Sequence, residues 1–328
     1  MDGRVRKLEN TATPWRTHLV APMIYKAFGL KIRSDFALHV LDAIETDPDD
    51  FDVEVVAGHG IIRDPNPYLD PYFEIDTDEQ YMHWRAIGAY LIKDDRRIVV
   101  ETHKDISDHL VSQALLGIVM AIMLERRHLL CLHASAINTN GRAAIFLGDK
   151  GAGKSTTSGA MLAAGGSPIS DDLVALEGVL NGDSPAAIRP GFSFMKIWPD
   201  TAKALSLEME ETDRLIHPHT TKIQKRMPKQ IRDENVPLGA AFILERAAEA
   251  TETKALRLPP HEALQMVLRN TFMARFGETK LGRQHLMLHM QRCSAIVAQT
   301  PFYALRIVDD ITKLDRLTEE IIRVTAEA

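Results

Sequence analysis

The stretch IFLGDKGAGKSTTSG, residues 145–159, constrains the fold more than any other part of this sequence. An apolar run ends in a glycine-rich segment that fits the pattern G-x-x-x-x-G-K-[ST], and further hydroxyl residues follow. Glycines allow successive backbone N–H groups to curl around phosphate oxygens without Cβ clashes. Such a loop needs a buried strand before it and a helix after it. The stretch therefore predicts an α/β fold with a phosphate-binding loop at the end of a strand.

Each polar residue of this loop has an expected part in holding a triphosphate. We expect Lys154 to bridge the β- and γ-phosphates as a point charge and the Ser155 hydroxyl to ligate Mg²⁺. The helix that begins near Lys154 adds the positive end of its dipole. ATP with Mg²⁺ is the expected ligand. The predicted nucleotide-binding residues of the loop are Gly148, Asp149, Lys150, Gly151, Ala152, Gly153, Lys154, Ser155 and Thr156.

An acidic pair follows the loop at a spacing that a helix and a returning strand would bridge. Asp171 and Asp172 lie in SPISDDLVALEG, which predicts a strand. Adjacent strand residues point to opposite faces, so one carboxylate alone would face the nucleotide, whereas at a strand end or bulge both could reach it. One would then act as general base on an acceptor hydroxyl and the other would hold Mg²⁺. A pair of solvated turn carboxylates is the alternative.

His133 precedes the loop, on the strand predicted to pair with the one that feeds it. A hairpin would bring this imidazole near the phosphate site. There it could donate a hydrogen bond to the γ-phosphate or tune the acidic pair. From spacing alone, a structural histidine in the core is an equally good interpretation.

Composition and charge argue against several other classes of protein. The net charge is −6, so no basic excess points to nucleic acid. The only cysteines, Cys131 and Cys293, have no metal-type spacing, and the beginning MDGRVRKLEN lacks the apolar segment of a secretion signal. We therefore expect a reduced, cytoplasmic location. The apolar segment Leu110–Leu124 is shorter than the roughly 20 residues that span a bilayer, which favours a buried helix and no membrane contact.

The apolar patterns predict two modules. Residues 1–105 are expected to be β-rich, and residues 106–328 to be a mixed α/β catalytic domain. In the first, segments such as FDVEVVAG and DRRIVVET alternate with turn clusters. Predicted helices cover 107–127 with Ser107 as N-cap, 154–164, 200–210, 260–276, 278–298 and 309–326. Predicted strands cover 129–138, 142–147, SPISDDLVALEG, AAIRPGFSFMKIW and PLGAAFILER.

Together these residues resemble the catalytic domain of HPr kinase/phosphorylase, a bacterial serine kinase family that is distantly similar to the ATP-dependent phosphoenolpyruvate carboxykinases. The resemblance covers about residues 128–177, where LHASAI, GDKGAGKS and ISDDLVAL stand in the family's order. It implies a P-loop catalytic domain of the HPr kinase/PEP carboxykinase type behind a β-rich N-terminal module. The roles it implies are Lys154 and Ser155 for phosphate and Mg²⁺, Asp171 as base, Asp172 as metal-side or supporting acid, and His133 as auxiliary.

The chain departs from this family after residue 177. The family's next signature contains a glutamate that helps to bind Mg²⁺, whereas the corresponding AIRPGFSFMKIWPD retains Arg189 and lacks the glutamate. The resemblance therefore does not establish the phosphorylase reaction or the recognition of HPr for this chain. A looser resemblance connects the N-terminal region and PGFSFMKIWPD with kinases that phosphorylate the C-terminal serine of lasso-peptide precursors. HPr kinases assemble as hexamers, which leaves a homo-oligomer open for this chain.

These observations lead to one principal hypothesis and two alternatives. The principal hypothesis is an ATP-dependent kinase that acts on a serine of a peptide or small protein recruited by the N-terminal module. The first alternative is a nucleotide-binding regulatory protein with little catalysis, which the missing glutamate favours. The second is a kinase of a small metabolite. An enclosed apolar acceptor pocket would favour the small metabolite, and an open groove lined by the N-terminal module would favour a peptide.

Three further groups of residues are weaker candidates. Lys222, Lys225 and Arg226 would clamp phosphoryl oxygens or an acidic peptide, or would form a solvated face, and Arg189 has the same two interpretations. His285, His289 and Cys293 share one helix face with metal-type spacing, but nearby methionines favour a packed face. His217 and His219 form a loop pair without an evident partner in the sequence.

Overall fold

A computed structural model gives the architecture. It describes residues 19–63, 68–76, 78–180, 185–192, 194–205, 214–215, 221–227, 234–247, 252–276, 281–308, 310 and 313–327. Within these ranges the chain forms three β-sheets with helices packed against them. The expected mixed α/β class is thereby confirmed.

The first sheet contains seven strands in the spatial order β1-β2-β3-β7-β6-β5-β4. They are β1 Leu19–Ala27, β2 Leu30–Phe36, β3 Val53–Ala57, β4 Tyr72–Ile75, β5 Gln80–Trp84, β6 Gly88–Ile92 and β7 Arg97–Thr102. In β2, buried and half-buried residues alternate, which is the period of two of a strand with one face in the core. The described part of the predicted β-rich region thus contributes one sheet. The division into two domains near residue 105 stays a prediction.

A long apolar helix covers this sheet. The Ser107 Oγ accepts the N–H of Leu110 at 3.2 Å, which is the predicted N-cap. Two α-helical segments, α1 Asp108–Ala114 and α2 Met120–Arg126, are joined by a π-helical turn, Leu115–Val119. Within that turn Gly117 leaves helical geometry, with φ −94° and ψ −109°.

The position of Asp108–Arg126 explains its apolar composition. By length and composition it could cross a membrane, yet 67% of its most apolar window is buried inside the structure. Leu115, Val119 and Met123 are fully buried in the core shared with the first sheet. Each buried side chain of this size stabilises the fold by about 1.5–3 kcal/mol. The segment is therefore a core helix in this structure, as the shorter apolar run Leu110–Leu124 predicted.

The second sheet carries the glycine-rich loop. Its main path has the order β11-β9-β10-β17-β13-β12-β8, and β19 pairs with both β17 and β18. The strands are β8 Leu130–Leu132, β9 Ser135–Thr139, β10 Arg142–Leu147, β11 Ser167–Ser170, β12 Val174–Glu177, β13 Ala187–Arg189, β17 Val236–Ala247, β18 Lys254–Arg257 and β19 Phe302–Val308. A third, small sheet has the order β14-β16-β15, with β14 Phe194–Ile197, β15 Arg214–Leu215 and β16 Ile223–Arg226.

Five helices complete the described fold. They are α3 Lys154–Ala163, α4 Pro199–Ala204, α5 Pro260–Asn270, α6 Arg283–Gln299 and α7 Leu314–Glu327. The predicted end of α3 is confirmed, because Gly165 adopts φ +92° and its N–H donates to Leu162 O at 3.0 Å, while Gly166 N–H donates to Met161 O at 2.9 Å. These two bonds form the glycine C-cap that satisfies the last helical carbonyls.

Several predicted elements are interrupted in the structure. The prediction of one continuous strand over 129–138 is wrong in one respect. The strand breaks at His133, whose N–H donates to Asn270 O at 2.7 Å. The strand predicted for SPISDDLVALEG also breaks, at the acidic pair itself. The helix predicted over 260–276 ends as an α-helix at Asn270, and β18 and β19 were not predicted. Each break occurs where a main-chain group bonds outside its own strand or helix, which local patterns do not reveal.

Candidate functional site

The glycine-rich loop leaves the carboxyl end of β10 and enters α3, as its pattern predicted. Gly148, Gly151 and Gly153 all have positive φ, at 149°, 90° and 105°. A Cβ added at Gly148 would lie 3.0 Å from the Cβ of Ala152, so the loop closes tightly only with glycine there. Ala152 N–H donates to Asp149 O at 3.1 Å. The result is a compact turn directly before the positive end of a helix, the usual place for phosphate.

Lys154 lies across this turn. Its Nζ donates to Gly148 O at 2.6 Å and approaches Asp149 O at 3.4 Å. The ammonium group is therefore held at the concave side of the loop, by carbonyls that a phosphate oxygen can replace as partner. Asp149 itself is exposed and its Oδ1 lies 3.4 Å from Arg269 Nη2.

The hydroxyl residues of the first turn of α3 differ in exposure. Ser155 and Thr156 are half-buried, and Thr156 Oγ1 lies 3.5 Å from Thr201 Oγ1 of α4. Thr157 is almost fully buried. Ser155 and Thr156 thus remain the candidates for ligand contact in this turn, whereas Thr157 belongs to the packed side of the helix.

The strand directions place the acidic pair at the same edge of the sheet as the loop. β9 runs antiparallel to β10, and β11 runs antiparallel to β9, so β10 and β11 share one direction. Their carboxyl ends, followed by Gly148 and Asp171 respectively, therefore meet at one edge. One intervening strand separates them, a spacing of roughly 10 Å between strand axes. Ligands of α/β sheets bind at the carboxyl edge of the strands.

Asp171 is a buried carboxylate with two direct donors. Its Oδ1 accepts from Ser135 Oγ at 2.6 Å, and its Oδ2 accepts from the backbone N–H of Lys196 at 2.9 Å. Only 9% of its surface is exposed. Burial raises the pKa of Asp171, and the neighbouring Asp172 carboxylate raises it further, while the two hydrogen bonds oppose the shift. Ser135 pairs with Phe146 of β10, two residues before the loop. The hydrogen bond from Ser135 therefore ties Asp171 to the strand that leads into the loop.

Asp172 has the opposite electrostatic environment. Its Oδ2 forms an ion pair with Lys196 Nζ at 2.6 Å, and its backbone has φ +67°. Burial opposes ionisation, but the charges of Lys196, His133 and Lys222 outweigh it and lower the pKa of Asp172 to about 2. Because the backbone of Asp172 is left-handed, its carboxylate does not take the direction that it would have in a continuing strand. This is the strand-end arrangement in which both members of the pair can serve one site.

Sequence reasoning did not single out Lys196 or Ser135, although both contact the acidic pair. Lys196 lies in the short strand β14, between buried Met195 and Ile197. The signal in the sequence was a lysine between apolar neighbours in a predicted strand. Ser135 is fully buried in LHASAI, where a serine gives no such signal.

His133 lies in the break between β8 and β9. Its Nδ1 is 3.0 Å from the backbone O of Asp172, and its ring packs edge-on against Phe272 with centroids 6.1 Å apart. The imidazole therefore contacts the acidic pair through the main chain and adds to the field that lowers the pKa of Asp172. Of the interpretations left open, this geometry favours tuning of the pair. A contact with the γ-phosphate stays a prediction.

The predicted basic residues are placed in two different settings. Lys222 contributes to the field at Asp172, and Lys225 is buried in β16 beside Met195. Arg226 Nη2 bonds to Asp42 Oδ1 at 2.5 Å, in the segment after the first sheet's β2. Lys222 is therefore the member of this group whose charge acts on the acidic pair, while Arg226 links two parts of the fold.

Arg189 is held by an acidic residue. Its Nε donates to Glu177 Oε2 at 2.6 Å, and its Nη1 lies 3.4 Å from Phe28 O. The guanidinium thus joins β13 to the β1–β2 turn of the first sheet. Its predicted contact with a nucleotide stays a prediction.

A pocket opens beside the acidic pair, with an empty volume of about 430 Å³. Polar groups line one part of it, and apolar side chains line most of the rest. Its lining residues are Val40, Ser112, Gln113, Leu116, Gly117, Asp171, Asp172, Leu173, Phe192, Phe194, Lys196 and Gln224. Both carboxylates and Lys196 therefore line the same pocket.

The candidate metal face of α6 forms a different kind of cluster. Glu125 Oε2 lies 3.7 Å from His289 Nδ1 and 3.6 Å from Arg292 Nη1, and we call these three residues the Glu125 cluster. Burial disfavours the charged imidazole, but the contact with Cys293 Sγ and the Glu125 carboxylate outweigh it and raise the pKa of His289 to about 10. The Arg292 guanidinium occupies the same carboxylate, and its positive charge opposes a metal ion there. The contacts therefore favour the packed interpretation.

The remaining metal candidates give no site in the described part of the chain. Among the described residues, no group of three or more His, Cys, Asp or Glu side chains could hold a metal ion by itself. His217 and His219 lie outside the described residues. A metal at the acidic pair would therefore depend on further oxygen ligands from a bound phosphate compound.

The chain matches no model of a protein family, and a comparison with curated proteins finds no match. The loop, the acidic pair and the pocket are therefore the observations on which a function can rest.

Proposed function

We propose that this protein is an ATP-dependent phosphotransferase that moves the γ-phosphoryl group to a hydroxyl, with a serine of a peptide or small protein as the expected acceptor. One observation carries the proposal. Two adjacent carboxylates, Asp171 and Asp172, lie at the carboxyl edge of the sheet, one strand away from the glycine-rich loop that carries Lys154, and their surroundings shift their pKa values in opposite directions. Environments that separate the pKa values of neighbouring acids are typical of acid–base sites.

The loop would hold the phosphates of ATP. Gly148, Gly151 and Gly153 give it the backbone of an anion-binding nest, and Lys154 already lies over its concave side. Electrostatic stabilisation of the transferring group is the main catalytic contribution in phosphoryl transfer. The loop and Lys154 therefore supply most of the binding and part of the charge compensation.

The residues present fit Mg²⁺ that arrives with a nucleotide. Ser155 offers a half-buried hydroxyl at the start of α3, and Asp172 is kept ionised at a pKa of about 2. Mg²⁺ takes oxygen ligands and commonly uses one or two from the protein together with substrate phosphates. When bound, the ion would neutralise charge on the phosphate oxygens. Lys196 holds Asp172 in place for that contact.

Asp171 is the proposed general base. It accepts the proton of the acceptor hydroxyl as that oxygen bonds to the γ-phosphorus and the bond to the β-phosphate oxygen breaks, leaving ADP. Its raised pKa makes it a better proton acceptor than an ordinary aspartate, and Ser135 and the Lys196 N–H fix its orientation. Phosphoryl transfer depends on such positioning more than on covalent chemistry.

One observation favours the regulatory alternative. The stretch that lacks the family's glutamate supplies Lys196, and this lysine neutralises Asp172 in the structure. A protein that binds ATP without transferring phosphate would keep this ion pair closed. Under either proposal a cytoplasmic location is expected, because ATP is abundant there, and a homo-oligomer stays a prediction.

One experiment distinguishes the kinase proposal from the regulatory alternative. The protein is incubated with γ-labelled ATP, Mg²⁺ and a pool of serine peptides, and mass spectrometry follows the gain of one phosphate. The kinase proposal expects labelled peptide with wild type and none with Lys154→Met, while Lys254→Met, an exposed lysine of β18, behaves as wild type. Binding of ATP without any labelled acceptor would favour the regulatory protein.

A further inference from the structure

The pocket beside the acidic pair has one polar end and a mainly apolar body. Asp171, Asp172 and Lys196, where the proposed chemistry takes place, form what we call the polar end, and Ser112, Gln113 and Gln224 also line the pocket. The apolar body is formed by Val40, Leu116, Leu173, Phe192 and Phe194. A hydroxyl at the polar end would therefore have an apolar surface beside it.

Four separate parts of the chain build this body, and one of them is Leu173, directly after the acidic pair. Val40 follows the first sheet's β2, Leu116 and Gly117 belong to the π-helical turn, and Phe194 begins β14. Phe192 also packs edge-on against Phe28, with centroids 6.1 Å apart, which fixes one aromatic wall from the N-terminal sheet. The N-terminal region thus contributes Val40 to the lining of the pocket.

The core helix departs from regular geometry at this pocket. Gly117, with φ −94° and ψ −109°, lines it, and a Cβ added there would meet no atom within 4 Å. Irregular π-type turns within helices frequently occur at functional sites. The helix is otherwise closely packed against the first sheet. The space beside Gly117 is therefore a local opening in a dense core, on the side that faces the two carboxylates.

We propose that this pocket receives an apolar group that the acceptor carries next to its reacting hydroxyl, so that the enzyme selects a hydroxyl with an aliphatic or aromatic neighbour. The inference rests on the proposed phosphotransferase function and deepens it by assigning the acceptor. An acceptor with a charged neighbour would place that charge against Val40, Leu116 and the phenylalanines, and its desolvation would oppose binding. A serine next to leucine or phenylalanine and a small aliphatic alcohol both satisfy this chemistry.

The test compares acceptors that differ only in the neighbour of the hydroxyl. The peptides acetyl-Gly-Ser-X-Gly-amide and acetyl-Gly-X-Ser-Gly-amide carry Gly, Leu, Phe, Asp or Lys at X, and 3-methylbutanol and 2-phenylethanol are compared with ethanol. We expect kcat/KM to be at least about tenfold higher for Leu or Phe than for Gly, as burial of one such side chain allows, mainly through KM. The peptide and alcohol arms identify the source of the hydroxyl.

Variants at Val40 test the same assignment from the side of the protein. Val40→Phe narrows the pocket and should remove the preference for Leu or Phe, whereas Val40→Ala should shift it from Leu toward Phe. Val324→Ala, a buried valine of α7 outside the pocket, serves as the matched control and should leave the preference unchanged. Calorimetry of Mg-ATP binding verifies that each variant is folded.

The outcomes separate this inference from the function on which it rests. Absence of Mg-ATP binding by wild type would overturn the phosphotransferase proposal and the inference with it. If ATP binds and acceptors are phosphorylated without regard to X, or with preference for Asp or Lys, the inference alone is wrong. Binding of ATP with no phosphorylation of any of these acceptors would also overturn it.

Discussion

Two buried charged clusters in this molecule look alike in composition and differ in what their geometry permits. In the acidic pair, Asp171 has a raised pKa, while its neighbour Asp172 has one lowered to about 2 by Lys196. In the Glu125 cluster, one carboxylate is shared by His289 and Arg292. The acidic pair leaves Asp171 as a carboxylate that gains a proton readily. The Glu125 cluster pairs its carboxylate with two cations and favours a charged His289 imidazole.

The surroundings of the two clusters differ as well. The acidic pair follows a strand end, next to a loop with three positive-φ glycines, and it faces a mainly apolar pocket. The Glu125 cluster joins the core helix to α6, and Glu125 Oε1 also accepts the N–H of Cys131 at 2.8 Å. Its bonds hold elements together. A perturbed pKa therefore indicates chemistry only where the strand ends, the loop and an open space agree with it.

The largest expected effect concerns the base. Asp171→Asn should lower kcat for phosphoryl transfer by roughly 10²–10⁴-fold, the usual contribution of a general base, while Mg-ATP still binds. The amide keeps an acceptor for Ser135 or for the Lys196 N–H, so the fold should persist. Initial rates with labelled ATP and the best serine peptide measure the effect. Transfer by Asp171→Asn at the wild-type rate would remove the base assignment.

The corresponding change in the other cluster should affect stability and leave catalysis intact. Glu125→Gln leaves His289 and Arg292 without their shared carboxylate, which we expect to cost about 3 kcal/mol of unfolding free energy. Urea unfolding measures it, and Mg-ATP binding by the folded variant should remain. Glu245→Gln, from an exposed pair with Arg306, should cost less than about 1 kcal/mol. If Glu125→Gln were as stable as wild type, the structural role of the cluster would be refuted.

A smaller effect is expected at Lys196. Lys196→Met removes the ammonium from Asp172 but keeps the backbone N–H that donates to Asp171. Asp172 then loses the partner that orients it, so we expect transfer to slow by roughly tenfold. Because the ammonium no longer competes for the carboxylate, the Mg²⁺ concentration needed for half-maximal rate should fall. Lys203→Met, an exposed lysine of α4, is the control. An unchanged Mg²⁺ dependence would argue against Asp172 as a metal-side ligand.

The smallest effect is a change in pH dependence. A base must be deprotonated, so the transfer rate should rise with pH as Asp171 loses its proton, and the raised pKa places this rise above that of an ordinary aspartate. Ser135→Ala removes a hydrogen bond that favours the charged carboxylate, so the pKa of Asp171 should increase and the rise should move to higher pH. Profiles of kcat against pH for both proteins test this. A shift to lower pH would contradict the assignment.

The sequence predicted the loop well because its residue types have few structural solutions. The glycines with positive φ, the strand before them and α3 with its glycine C-cap all follow from local rules. The core helix was also predictable, since its apolar run is too short to span a bilayer comfortably and too long to be exposed. These features depend on neighbours along the chain.

The rest of the site depends on contacts between distant segments. The breaks at His133 and at the acidic pair arise because β8 pairs with β12, while β9 pairs with β10 and β11. Lys196 reaches Asp172 from a different sheet, and Val40 reaches the pocket from the N-terminal region. No local periodicity of the sequence indicates these contacts between distant segments. The pocket beside the acidic pair, in particular, is lined by five segments that are distant from one another in the sequence.

The most direct test of the central claim is calorimetric titration of the protein with Mg-ATP. If the loop after β10 holds a triphosphate, wild type should show saturable heat at one site per chain, and Lys154→Met should lose most of it while Lys254→Met retains it. The melting temperature of each protein verifies its fold. Absence of heat with folded wild type, or equal heat with Lys154→Met, would contradict the account.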